Sequence, residues 1–430
     1  MGKDFLDRPQ MRDHKLENDE TDGHKEFLMN FGRSIIFTSL TAILFSITGT
    51  VSSIAQDSTF TLAPVPTYKS QSGKFVFKLR GRVYWDYAVL EDDDDNQDGS
   101  PSEFRTARTG LDASMDKFSA RLELDHSGGN TRFTDLYISW KGPVEVKLGQ
   151  FKIETSLEEA TSSRYTTFME RASFTDAFSF ARQLGISLAK GGNNWHLKLG
   201  LQKGSTATGF DDATFALSAR ATYSPKLNNT QTHLGLSLRY RETAGSQGDF
   251  AYAQRAYSHL SNKYLATGAI TDSDLFIGIE AAVLWGPLSL QGEYGRLNAS
   301  LSTPAAGQKD PTFSGAYISG SWYITGENRN YNPKKGGFGR TVVNSPVHKG
   351  GIGAWQVAIR YDIIDLSKST ILGGEQATFI FGLNWHLNRW SRLMLNYSHA
   401  SINNAQLVAL NGTDGINAVN SFGIRTQINW

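Results

Sequence analysis

The sequence predicts an all-β fold: a 16-stranded antiparallel transmembrane β-barrel with an inward-folded constriction loop. Three observations carry that expectation. Beyond Gly73 the apolar residues recur at every second position, the period of a strand with two unlike faces. The alternating runs reach about ten residues or more, roughly twice an ordinary soluble strand, and long enough to cross an apolar layer when tilted. Short links containing Gly, Asp or Asn alternate with long polar ones, as the two ends of a membrane barrel require.

The strands follow in order. Phe75, Phe77, Leu79, Val83, Trp85 and Val89 share one face of the first, and Lys78, Arg80, Arg82, Tyr84 and Asp86 the other. The same rhythm gives Leu122 and Leu124 against Arg121, Glu123 and Asp125, then Leu197, Leu199 and Leu201 against Lys198 and Gln202. Leu234, Leu236 and Leu238 alternate with Arg239 and Arg241, and Val357 and Ile359 with Arg360 and Asp362. Candidate strands fall at 75–90, 103–115, 117–127, 131–141, 143–152, 182–191, 193–204, 213–224, 230–242, 274–285, 287–300, 312–326, 351–365, 375–388, 390–401 and 420–430. The total is even, as single-chain bacterial outer-membrane barrels require. One link breaks the short–long rhythm: 327–350 is long where a tight turn is due. That turn carries an insertion or the count is off there.

Composition bounds the function. The chain has 430 residues, no Cys and a net charge of +1. It therefore has no disulfide framework or thiolate metal site, and it is not a polycation built for nucleic acid. A negative mean hydropathy argues against a helical membrane protein but not against a barrel, in which only alternate residues meet lipid. Ile35 to Ile47 reads IIFTSLTAILFSI behind Arg33, too short to span and shaped like the apolar region of a secretory signal. Residues 1–55 are read as a signal peptide with an N-terminal extension, starting at Met29 and cleaved after Ala55; 56–74 as a short periplasmic segment; and 75–430 as the barrel.

A barrel of this size leaves an aqueous channel. Its expected inward face carries Lys78, Arg80, Arg82, Arg121, Lys147, Lys198, Arg220, Arg239, Arg241, Arg360 and Arg425, against a smaller set of carboxylates. Rings of Arg or Lys select anions, although lumen charges can also simply pair with one another. Segment 153–181 is far too long for a hairpin link, and its Phe168, Phe174, Phe178 and Phe180 suit packing against an inner wall. The alternative is an exposed surface loop.

Specific stretches resemble the phosphate- and pyrophosphate-selective porins of the O and P group. They are FKLRGR from Phe77 to Arg82, FRTAR from Phe104 to Arg108, LGQF from Leu148 to Phe151 and LEEATSSRYTTFMER from Leu157 to Arg171. ITGENRNY from Ile324 and GAWQVAIRYD from Gly353 also match. The resemblance implies trimeric 16-stranded porins whose third extracellular loop narrows the pore. By motif it carries anion-site roles to Arg82, Arg105, Ser162, Ser163, Arg164 and Arg171, and places the acidic Asp125 beside the anion path. Two positions depart: Thr106 stands where a second arginine is frequent, and Glu159 where a lysine is frequent. Strict alternation also puts Arg105 on the lipid face, opposite Arg108; a β-bulge would turn it inward.

Other chemistry finds little support. Asp94, Asn96, Asp98 and Gly99 copy the first half of a calcium loop, but Arg105 stands where the bidentate Glu belongs. The histidines show no metal-ligand spacing, and no hydrolase elbow is present. The expectation is therefore a non-enzymatic outer-membrane porin without cofactor, contacting outer-membrane lipid and passing phosphate or similar small inorganic anions. A general organic-solute porin, and a closed barrel binding partners through 243–273 and 402–419, are the alternatives.

Overall fold

Apart from the pair that closes the barrel, each antiparallel pairing between the wall strands joins strands that follow one another in sequence. The computed structural model describes residues 59–61, 65–93, 98–207, 214–244, 248–407, 412–413 and 417–430. The expected signal segment 1–55 and the centre of the acidic loop, 94–97, lie outside the described residues. The wall strands are β1 Phe75–Asp92, β2 Ser102–Met115, β3 Phe118–Asp125, β4 Arg132–Lys141, β5 Glu145–Lys152 and β6 Arg182–Gly191. They continue as β7 Trp195–Lys203, β8 Phe215–Tyr223, β9 Thr230–Glu242, β10 Lys263–Trp285 and β11 Leu288–Leu301. The last five are β12 Thr312–Tyr323, β13 Ala354–Lys368, β14 Ile371–His386, β15 Ser391–Asn403 and β16 Ala418–Asn429. Every neighbour pair is antiparallel. β16 returns to β1, with Asn429 opposite Arg82. The 16-stranded barrel is closed, so no wall edge is left to meet lipid with unpaired backbone.

Alternation sets which face meets which solvent. Leu234, Leu236 and Leu238 are 58%, 49% and 40% exposed, whereas Ser237 and Arg239 are 1% exposed. Apolar outside and polar inside is the reverse of a soluble protein. Trp140, Trp195, Tyr223, Trp285 and Trp322 lie exposed near the short-turn ends of their strands, where an interfacial aromatic belt belongs. Close approach explains one glycine. A Cβ on Gly81 would lie 2.0 Å from the Trp430 ring, and Trp430 N donates to Gly81 O at 3.0 Å.

Three long links fold inward. The first, 153–181, is the expected constriction loop and contains two single-turn helices, α1 Leu157–Ala160 and α2 Ser173–Ala177. Ser156 Oγ caps α1 by accepting from Glu159 N at 3.0 Å. Both helices dock their first amides on wall carboxylates. Leu157 N and Glu158 N each donate to Glu293 at 2.9 Å, and Ser173 N donates to Asp362 at 3.2 Å. Phe174, Phe178 and Phe180 pack with Tyr252, Phe276 and Phe313 in one apolar cluster.

The second is the region expected as the loop 243–273, of which 245–247 lie outside the described residues. It does not project as a free loop. Phe250–Arg255 pairs with the start of β10, which runs eleven residues further than alternation suggested, and Tyr252 and Tyr264 are fully buried. The third is the link that broke the rhythm. The strand count stands, and 324–353 is an insertion at the turn end that enters the lumen. Phe338 N donates to Thr161 Oγ1 at 3.3 Å, Gly336 O accepts from Arg220 Nη2 at 2.6 Å, and Tyr331 Oη lies 2.5 Å from His233 Nδ1.

Candidate pore and anion site

With the infill resting on the later strands, open space remains beside β1–β6. A cavity of about 500 Å³ lies there, lined by those strands, the constriction loop, β16 and residues 254–259. Its lining carries eleven Arg and Lys against five Asp and Glu.

The basic wall is built in two layers. Glu123 on β3 is 1% exposed and accepts from Arg82 Nη2 at 2.8 and 3.0 Å, Arg108 Nη1 at 3.2 Å and Thr134 Oγ1 at 3.1 Å. Arg80 Nε approaches it at 3.5 Å. Asp125, equally buried, holds Arg108 Nε at 2.9 Å and is fixed by the amide and hydroxyl of Ser127. Asp112 holds Arg80 at 3.1 Å and Arg121 at 2.7 Å. Asp135 accepts from Arg182 Nε at 2.8 Å. Glu123 and Asp125 thus lie behind their guanidinium groups, and Arg121 and Arg182 keep 28% and 27% of their side-chain surface exposed. Burying such charges costs free energy unless each is multiply bonded, which these are.

The bulge that Arg105 required is present. Tyr84 pairs with Thr106 and Trp85 with Phe104, leaving Arg105 as the extra residue. Its guanidinium lines the cavity and reaches Glu170 at 3.4 Å. Ser163 Oγ accepts from Arg82 Nη1 at 2.9 Å. Ser162 turns the loop, with its carbonyl accepting from Tyr165 N at 2.8 Å. Arg164 is 9% exposed and comes no nearer to Glu123 than 3.8 Å. Its Nε and Nη2 are buried and have no hydrogen-bond partner. Burial, with the like charges of Arg82 and Arg80 beside it, makes the charged form of Arg164 costly.

The loop's own charges are largely matched. Arg171 donates to the carbonyls of Glu158 and Thr161 at 2.8 and 2.9 Å and pairs with Glu159 at 3.2 Å. Lys152 also pairs with Glu159, so the acid at that departing position carries no free charge. Burial alone would raise Glu170, but Arg105 and Arg425 outweigh it and hold the carboxyl down at about 2. Lys198 and Lys147 likewise overcome burial to hold Glu154 at about 2.

Asp125 and Arg164 back the wall without lining the cavity, and three further expected residues lie elsewhere. Lys78 is exposed at the turn end of β1. Arg239 donates to the Phe178 and Ser179 carbonyls at 2.9 and 3.2 Å and pairs with Asp274, and Arg241 pairs with the same carboxylate at 2.7 Å. Both inward arginines brace the constriction loop and its neighbour instead of lining the cavity, because the infill covers that wall. The lining residues that escaped sequence reasoning include Lys152, Asp176, Arg182 and Arg255. Each lies at a strand end or within a folded link, where two-residue alternation carries no signal.

Comparison with known proteins agrees with this architecture. The family model described as phosphate-selective porin O and P matches residues 77–430. A Caulobacter vibrioides protein is 31% identical over 377 residues, covering 84% of this chain and 75% of its own length. Porin O of Pseudomonas aeruginosa is 26% identical over 378 residues, covering 76% of this chain and 83% of its own. Among solved structures, an anion-selective porin from Comamonas acidovorans superposes with a TM-score of 0.55 at 13% identity, over 83% of this chain and all of that one. The trimer form of Vibrio cholerae OmpT gives 0.52 at 12% identity, covering 83% of this chain and 99% of that one. Barrel, lumen and family match converge on a non-enzymatic outer-membrane porin, and the chain belongs to the phosphate-selective porin O and P family.

Proposed function

We propose that this porin favours small anions, phosphate and polyphosphate among them, which diffuse along the basic wall beside β1–β6. The observation that carries the reading is Arg164. A guanidinium with two buried, unpartnered N–H groups, next to Arg82 and Ser163, suits an incoming oxyanion. A planar fork can bond two oxygens at once, and the anion would offset the cost of holding like charges together. The surplus of cations in the lining supports the same reading, as do the phosphate selectivity by which the family is known and the likeness to the anion-selective Comamonas porin.

The test is a reversal potential across a planar bilayer in a KCl gradient, followed by phosphate titration. Anion-selective current blocked by phosphate is expected. Replacing Arg82 and Arg164 together by Ala should lower the anion/cation ratio and abolish the block. An unchanged ratio would mean that neither side chain faces the permeation path. A second reading, an organic-solute porin without phosphate preference, draws on Thr106 in place of an arginine. A homotrimer and cleavage after Ala55 complete the proposal; the first follows the family resemblance, the second the apolar run from Ile35 to Ile47.

A further inference from the structure

We infer that the constriction selects by dipole as well as by charge, favouring zwitterionic organic solutes whose anionic group meets the arginine wall and whose cationic group meets Asp176. The inference rests on the anion reading above and deepens it.

Asp176 differs from the other lining carboxylates. Among the described residues, Glu154, Glu159 and Glu170 each hold an ion pair, and Asp135 holds Arg182. The Asp176 carboxylate lines the same cavity and, among the described residues, receives neither an ion pair nor a side-chain hydrogen bond. Its presentation is rigid. Ser173, Phe174, Thr175 and Ala177 of α2 are all buried, leaving Asp176 the one exposed residue of the helix. Arg239 fixes the carbonyls that follow it. The helix cannot easily turn this carboxylate away, because Phe174 is stacked on Phe276 with ring centroids 6.1 Å apart.

The cavity therefore holds an acid on the loop that makes no direct ion pair and, on the wall, the guanidiniums of Arg105, Arg121 and Arg182, each still partly exposed. Fixed charges of opposite sign on the low-dielectric walls of one narrow passage set up a field that orients dipoles. Phe151 and Phe180 also line it and offer apolar contact to a short carbon spacer. Inorganic phosphate would gain the arginine contacts alone and be repelled by Asp176. A zwitterion would gain both.

The experiment is osmotic swelling of proteoliposomes holding the full chain, with γ-aminobutyrate compared against the uncharged 4-hydroxybutyramide of similar size. The zwitterion should enter severalfold faster in the wild type. Asp176→Asn and Asp176→Ser should bring the ratio close to one while shifting the KCl reversal potential toward greater anion preference. Equal rates in the wild type, or a ratio unchanged in the variants, would overturn the inference. The wild-type reversal potential separates the two ideas. An unselective or cation-selective pore sinks the anion reading, whereas a missing zwitterion advantage in an anion-selective pore sinks only the dipole.

Discussion

Glu123→Gln is a severe test of the layered wall. The substitution keeps the side chain's shape and removes the one negative charge shared by Arg82, Arg108 and Arg80. Removing one partner of a buried ion pair costs about 3–5 kcal/mol. Here Arg108 keeps Asp125, Arg80 keeps Asp112, and Arg82 keeps Ser163, and Arg164 loses only a distant contact at 3.8 Å, so the loss should fall at the lower end, about 3 kcal/mol. The same change makes the lane more positive. An ion about 8 Å from the lost charge feels about 0.5 kcal/mol at the dielectric of water and about 2 kcal/mol at an effective value near 20. Salt screening favours the lower part of that range. A gain of about 0.5–1 kcal/mol is about a two- to fivefold rise in anion permeability, and with the equal loss for the cation about a five- to thirtyfold rise in the anion/cation ratio. The assay is the reversal potential, with heat-modified gel mobility as the check that the barrel is intact. An intact variant whose ratio is unchanged or lower would refute the claim that these guanidiniums face the path. Phosphate should also raise the variant's melting temperature more than the wild type's, since a bound anion replaces the missing counter-charge.

Two further perturbations probe the loop. Phe174→Ala removes a ring packed against Phe178, Phe180 and Phe276, costing about 3–5 kcal/mol. Single-channel conductance should rise and become noisier, and unchanged current would mean that the loop does not limit flow. Acidification gives a signed prediction. Crowding by the packed loop around it, which desolvates the carboxylate although the residue keeps an exposed surface, and the neighbouring Glu170 raise Asp176, against the pull of Arg255, Lys263 and Arg105, while Glu154 and Glu170 are held at about 2. Asp176 therefore takes up its proton before Glu154 and Glu170 as pH falls, and the anion/cation ratio should increase before those two acids are neutralised; a fall would contradict the assignment. Glu170's contribution to loop docking is fully present above the unfolded carboxylate value of about 4 and is lost only as pH drops toward about 2. Protease resistance of the loop should thus outlast the change in selectivity.

Much of the barrel is legible along the chain because its rule is local. A strand residue's face follows from its parity, and water on one side with lipid on the other writes that parity into the choice of Leu234 over Arg239. The constriction loop was legible too, from its length and its four phenylalanines. The long turn-end link was visible as an irregularity, but not as an element that enters the lumen.

Parity determined that Arg82, Arg121, Arg239 and Arg241 point inward; it could not say which of them meet open space. That depends on where 153–181, 243–273 and 324–353 come to rest, and their partners lie far away in sequence. Glu293 meets Leu157 and Asp362 meets Ser173 across the lumen. Only tertiary packing turned Arg239 and Arg241 into braces, neutralised Glu159 with Lys152 and Arg171, and left Asp176 unpaired. Arg105 marks the boundary between the two levels. Alternation gave it the wrong face, and one extra residue in the β1–β2 ladder corrected it, because a bulge shifts parity by one.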